Sequence, residues 1–286
     1  MIIKGYEDKA KAILNLSPLN LGKYLIHVNS KDRGLSFVLN KIGFREPLNS
    51  FFLSRLIREH KPYVVDVGGN VGYFPLIELL SGAEFVEVYE PVTETYNILS
   101  KNLQQFPNVM LHNLAIDVKE GTGTIQVFDH YNQASMLQDF RVQIETGVKP
   151  SYEQTVHTKT LKQVAINKKN VLLRMDIEGY EEKVLKHIPD NINFLSFELH
   201  TLMLGAERAY SLIEYLQDQG FRISLMLREL DTIFGLTLMI CYLKYFPAFI
   251  YNLIDRRIYR NPSNKLMLEI FQTSQECPHI YAVRGK

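Results

Sequence analysis

Residues Val64-Val65-Asp66-Val67-Gly68-Gly69-Asn70-Val71-Gly72 read as an apolar strand that runs into three glycines. From Val71 to Leu80 apolar residues return at helical spacing. Glycine lets the backbone turn sharply and lets a ligand approach it, and the start of a helix offers free N–H groups. In open α/β sheets ligands sit beyond the carboxyl ends of the strands. Glu90 ends the next apolar run, 24 positions after Asp66. An acidic residue about 20 positions past such a loop can accept both hydroxyls of a ribose. The loop is not the G-x-G-x-x-G of dinucleotide binders, because Asn70 stands where the second glycine belongs. It also lacks the Lys and Ser/Thr of a phosphate-cradling loop.

The rest of the chain repeats the alternation. Strands are expected at 63–67, 85–89, 109–113, 122–128, 157–161, 171–175, 194–198, 221–227 and 280–284. Helices are expected at 71–80, 93–103, 180–187 and 206–218, the last stopped by Gly220. Strand–helix alternation of this length argues for an open, mostly parallel α/β sheet with helices on both faces and a final antiparallel strand. Residues 1–60 read as an extension, with a helix over Glu7–Leu14, a strand over Tyr24–Val28 and a helix over Phe51–Ile57. The core is expected over 61–229, an apolar insertion over 230–275 and the last strand over 276–286.

Charge narrows the partners. Lys and Arg number 32 and Asp and Glu 31, a net charge of +1 without the basic excess of a general nucleic-acid binder. Cys241 and Cys277 are too few for a disulfide-rich scaffold or a zinc site built on cysteines. Lys9 and Lys11 interrupt any signal-peptide core, so a cytoplasmic location is expected. Thr232–Ile254 reaches the roughly 20 residues of a membrane span only by tolerating Lys244 and Pro247. With Arg256, Arg257 and Arg260 behind it, the segment is a candidate cap, homodimer surface or peripheral membrane contact.

Four segments carry a resemblance to a known family. They are Asp66–Gly72, Tyr89-Glu90-Pro91 with Tyr96, Leu99 and Asn102 after it, Asn113-Leu114-Ala115-Ile116, and Arg174-Met175-Asp176-Ile177-Glu178-Gly179-Tyr180-Glu181. Together they resemble the FkbM-type methyltransferases over roughly residues 40–225 and the final strand. The resemblance implies a Rossmann-like methyltransferase fold and S-adenosylmethionine as cofactor. It implies that Asp66, Gly68, Asn70 and Gly72 lie along the cofactor, that Glu90 grips its ribose, and that Ala115 and Ser135 border it. It implies O-methylation of a hydroxyl, on a saccharide, glycolipid or related metabolite. Arg174 and Gly69 depart from the family, which usually has Lys and often Ala there.

Methyl transfer to an alcohol needs a positioned group to take the hydroxyl proton. Asp176 and Glu178 follow one strand and Glu198 and His200 the next. Asp176, Glu178 and His200 are the candidate catalytic residues, and an unperturbed imidazole pKa near 6.5 makes His200 the best base by that measure. The three also have the donor types for a divalent cation, a candidate cofactor that no tight ligand spacing supports, and none of them is assigned as a metal ligand. The competing readings are a nicotinamide-dependent oxidoreductase, a nucleic-acid methyltransferase and a catalytically silent cofactor-binding scaffold.

Overall fold

The structure, a computed structural model, describes residues 10–32, 34–128, 133–136, 150–229, 257–273 and 277–285. The apolar stretch Thr232–Ile254, Arg256 and the Asn132 and Leu137 ends of the polar loop lie outside them.

The strands are β1 (Lys11–Asn15), β2 (Lys23–His27), β3 (Tyr63–Val67), β4 (Phe85–Tyr89), β5 (Val109–His112), β6 (Ala115–Ile116), β7 (Gly121–Phe128) and β8 (Gln133–Ser135). They continue as β9 (Tyr152–Lys159), β10 (Val171–Met175), β11 (Ile192–Glu198), β12 (Phe221–Leu227), β13 (Ile258–Arg260) and β14 (His279–Arg284). The first helices are α1 (Leu35–Ile42), α2 (Pro47–His60), α3 (Tyr73–Ser81) and α4 (Thr93–Leu103).

The large sheet has the order β13-β12-β14-β11-β10-β3-β4-β5. Strands β5, β4, β3, β10 and β11 are mutually parallel, and β14 runs antiparallel between β11 and β12. This is the expected Rossmann-like methyltransferase arrangement. Alternation along the buried strands sorts side chains onto two cores. Val65, Val67, Leu173 and Met175 face the helices after β10 and β11, while Val64, Val86, Val88 and Leu172 face α2, α3 and the N-terminal segment. Chain order reverses at β3, which has β4 on one side and β10 on the other, so the crevice opens at the carboxyl ends of these three strands.

Three features differ from the sequence-based expectations. The part of Glu7–Leu14 that is described is strand, not helix: β1 pairs antiparallel with β2 and buries Ala12 and Leu14 on alternate positions. A long-range partner here overrides local helical spacing. Strands β6, β9, β7 and β8 form a separate small sheet rather than isolated strands around a loop. The end of the expected insertion belongs to the core. Strand β13 extends the large sheet beside β12, and helix Asn264–Thr273 buries Met267, Ile270 and Phe271 in the same core as helix Ala206–Asp218. Arg257 donates to the Glu229 carbonyl, whereas Arg260 is exposed. Among the described residues no helix is long and apolar enough to cross a membrane.

One amide ties the N-terminal hairpin to the glycine loop. Asn102 accepts from His27 N at 2.7 Å and donates to His27 O at 2.9 Å and Val71 O at 2.7 Å. Asn102→Ala strands these backbone groups in a site that is 5 % exposed, and the expected cost is about 2–3 kcal/mol. Thermal unfolding checks it, with a Tm lower by roughly 5–10 °C.

Candidate active site

The glycine loop is shaped by its neighbours. Gly68 N and Gly69 N donate to Tyr89 O at 2.9 and 3.3 Å, and Asp176 N donates to Val67 O at 3.0 Å. Gly68 sits at φ +88°, and a Cβ there would fall 1.9 Å from the Asp176 carbonyl, so only glycine fits. A Cβ on Gly69 would fall 2.2 Å from Val88 Cγ1, which accounts for glycine where the family often has alanine.

Beyond the loop lies an open pocket bordered by Gly68, Asn70, Glu90, Ala115, Asp176 and Glu178. The small sheet supplies the facing wall through Ile125, Val127, Phe128, Ala134, Met136 and Tyr152. Asn29 of the N-terminal segment and Tyr89, Leu114 and Tyr180 complete it. Tyr89, Leu114 and Tyr180 stand in the segments that carry the family resemblance, whereas Asn29 and the small-sheet wall have no local motif, because their approach depends on how sheets and hairpin pack. An apolar wall with a few polar groups is the usual composition of a small-molecule site.

Glu90 is 6 % exposed and accepts from Asn70 N and Val92 N, each at 2.9 Å. Burial pushes its carboxyl up to about 7 against the pull of those two N–H groups. Each oxygen keeps further acceptor capacity. A ribose diol offers two donors, so the fit to a nucleoside-type cofactor is chemical as well as spatial.

Asp66, Gly72 and Ser135 do not border the pocket. Asp66 lies under the loop, fully buried, and pairs in register with Arg174. Arg174 Nη1 is 3.5 Å from Asp66 Oδ1 and donates to Gly68 O at 3.1 Å, while Nη2 donates to Asp176 Oδ2 at 3.1 Å. Its guanidinium also lies 4.4 Å from the Phe74 ring centre. Glu78, fully buried on α3, has its carboxyl pushed well above the usual range by burial and by the nearby Asp66, so it is carried neutral. Arg174 belongs to the motif that carries the resemblance, its charge standing inside an apolar strand, whereas Glu78 on α3 has no such signal. Gly72 starts α3 at φ +94° and faces Leu99 and Leu103 of α4. Ser135 points away from the pocket because its neighbours Ala134 and Met136 face it; its Oγ donates to Glu178 O at 3.0 Å.

Asp176 and Glu178 reach the pocket, and His200 stands behind them, 4 % exposed. Its Nε2 is 3.3 Å from Glu178 Oε2 and its Nδ1 2.9 Å from Glu181 Oε1. Burial opposes a charge on this ring, but Glu181, Glu198 and Glu178 outweigh it and hold the imidazole well above its usual range. That direction favours the charged ring, so the carboxylates beside His200 are better placed to accept a proton than the ring itself. Glu198 is pushed up to about 8 by burial, with Asp176 adding to the shift. Nearby, His279 is 3.3 Å from Glu46 Oε2 and is raised to about 9 by Glu46 and Glu198 despite burial.

The methyltransferase FkbM domain model matches residues 66–223, more than half of the chain. No curated protein matches it. Among solved structures, a SAM-dependent methyltransferase from Agrobacterium tumefaciens aligns over 100 % of this chain and 73 % of its own, at 11 % identity and a TM-score of 0.48. The tRNA (m1A58) methyltransferase TrmI from Aquifex aeolicus aligns over 93 % and 79 %, at 14 % and 0.39. A ribosomal protein L11 methylase from Lactobacillus delbrueckii subsp. bulgaricus aligns over 65 % and 75 %, at 15 % and 0.36. Similarity this distant transfers no acceptor. The glycine loop, Glu90, the Asp176–Glu181 segment and the family match lead to one assignment: the chain belongs to the FkbM methyltransferase family, whose cofactor is S-adenosylmethionine.

Proposed function

We propose that this chain methylates a hydroxyl oxygen of a saccharide, glycolipid or related small molecule. The observation that carries the reading is the partly exposed carboxylate pair Asp176 and Glu178 at the pocket edge. S-adenosylmethionine supplies an activated methyl group on a sulfonium. Glu90 and the loop at Gly68 and Asn70 would hold the nucleoside end, with Ala115 beside it. Asp176, fixed by Arg174, and Glu178, 3.3 Å from His200 Nε2, would accept hydrogen bonds from the acceptor and take the proton its hydroxyl releases. Carboxylates that receive sugar hydroxyls repel phosphates. At the pocket edge the carboxylates Asp176 and Glu178 favour an uncharged polyol over a nucleic-acid backbone.

The test is methyl transfer from radiolabelled cofactor to panels of glycans, glycolipids and nucleic acids. Label is expected on a glycan or glycolipid hydroxyl and is expected to fall about 100-fold in Glu178→Gln, within the usual range for losing a general base. Label on tRNA or DNA alone contradicts the reading.

A further inference from the structure

We propose that Glu198, His200 and Cys277 form a binding site for one divalent transition-metal cation, zinc by its donor chemistry, on the acceptor side of the pocket. A carboxylate oxygen, an imidazole nitrogen and a sulfur from these three residues lie within 4.8 Å of one another. Burial pushes the Cys277 thiol up to about 12, so zinc would bind by displacing protons to leave thiolate, neutral imidazole and carboxylate. It takes this mixture of donors with bonds of about 2.0–2.3 Å, so closing the set around an ion needs movements of about 1 Å.

Glu198 and His200 stand two positions apart, and the strand pairing brings Cys277 to them from far along the chain. Glu198 ends β11 and faces His279 across the β11–β14 pairing. Leu199 N donates to Pro278 O at 2.9 Å, which brings Cys277 alongside His200. A single cysteine in a mixed set is not the cysteine-built site that the composition excludes.

A second observation points to a ligand. His200 is 4 % exposed, and its Nδ1 faces Glu181 Oε1 at 2.9 Å, which leaves Nε2 as the nitrogen for a metal. Glu181 is itself held by the N–H groups of Ile177 and Gly179, at 3.1 and 3.2 Å. A buried carboxylate behind an imidazole is the arrangement that orients metal-bound histidines. Asp176 and Glu178 form an overlapping set with His200, also within 4.8 Å, and so border the side of the site open to the pocket. Three protein ligands with an open position suit a cation that polarises an incoming oxygen. That role rests on the hydroxyl-methylation reading; cation binding does not.

The experiment uses the full chain stripped with chelator and titrated with Co²⁺, then challenged with Zn²⁺ or Mg²⁺. One equivalent of Co²⁺ is expected to give d–d absorption together with a sulfur-to-cobalt charge-transfer band, displaced by Zn²⁺ and not by Mg²⁺. Cys277→Ser is expected to lose the charge-transfer band, and it and Glu198→Gln to weaken Zn²⁺ binding by at least about tenfold, the range seen when metal-site groups are altered. Cys241→Ser is expected to keep the full spectrum. Circular dichroism and cofactor affinity confirm that each variant is folded. No cobalt spectrum in wild type, or an unchanged one in Cys277→Ser, overturns the proposal. No acceptor is present, so the result does not depend on which hydroxyl, if any, is methylated.

Discussion

Arg174→Met is expected to destabilise the fold by about 3–5 kcal/mol and to abolish cofactor binding. Removing one partner of a buried ion pair strands the other, and losses of that size follow. Asp66 has no exposed surface; burial pushes its carboxyl up, and Arg174 is the cation that most opposes that push. The same guanidinium holds the Gly68 carbonyl and Asp176, so its loss frees the loop and the proton-accepting edge together. Thermal denaturation should show a Tm lower by roughly 10 °C. Arg174→Lys keeps the charge without the fork and should fall between the two. The double variant Arg174→Met/Asp66→Asn should recover part of the stability, because the stranded charge is gone. A Tm unchanged in Arg174→Met contradicts this account.

Glu90→Ala is expected to weaken S-adenosylmethionine binding about 100-fold, the effect of losing two hydrogen bonds to a charged acceptor. Calorimetric titration measures it. The pH dependence is a sharper signature. Below about 7 the buried carboxyl of Glu90 holds a proton, and above it both oxygens are available to hydroxyl donors. Affinity should therefore rise as pH climbs through 7 in wild type and stay flat in Glu90→Gln. Stability runs the other way. A carboxyl whose folded pKa lies above its ordinary 4.5 keeps a proton that the unfolded chain releases, so its contribution is lost as pH rises from 4.5 towards 7.

Residues Thr93–Leu103, Val171–Met175, Ala206–Asp218 and Phe221–Leu227 form the elements that their periodicity predicts, to the residue. Each is fixed by a strong local signal, such as the Gly220 stop or an unbroken buried run. Residues 11–14 read as helix because nothing local reveals that Lys23–His27 will pair with them. The site divides the same way. Glu90, Gly68, Asn70, Ala115, Asp176 and Glu178 are carried to the pocket by the strand ends that hold them. Asp66 carries the same motif signal but points beneath the loop, where Arg174 and Glu78 meet it. The charge state of His200 depends on Glu181, Glu198 and Glu178 together, and no pattern in the chain encodes that meeting. Asn29 and the small-sheet wall are likewise products of packing.

A crystal structure of the chain with S-adenosylhomocysteine tests the central claim most directly. The account predicts the ligand between the Gly68–Asn70 loop and the small sheet, with both ribose hydroxyls within hydrogen-bond distance of Glu90. A ligand bound elsewhere, or one whose ribose leaves Glu90 untouched, contradicts it.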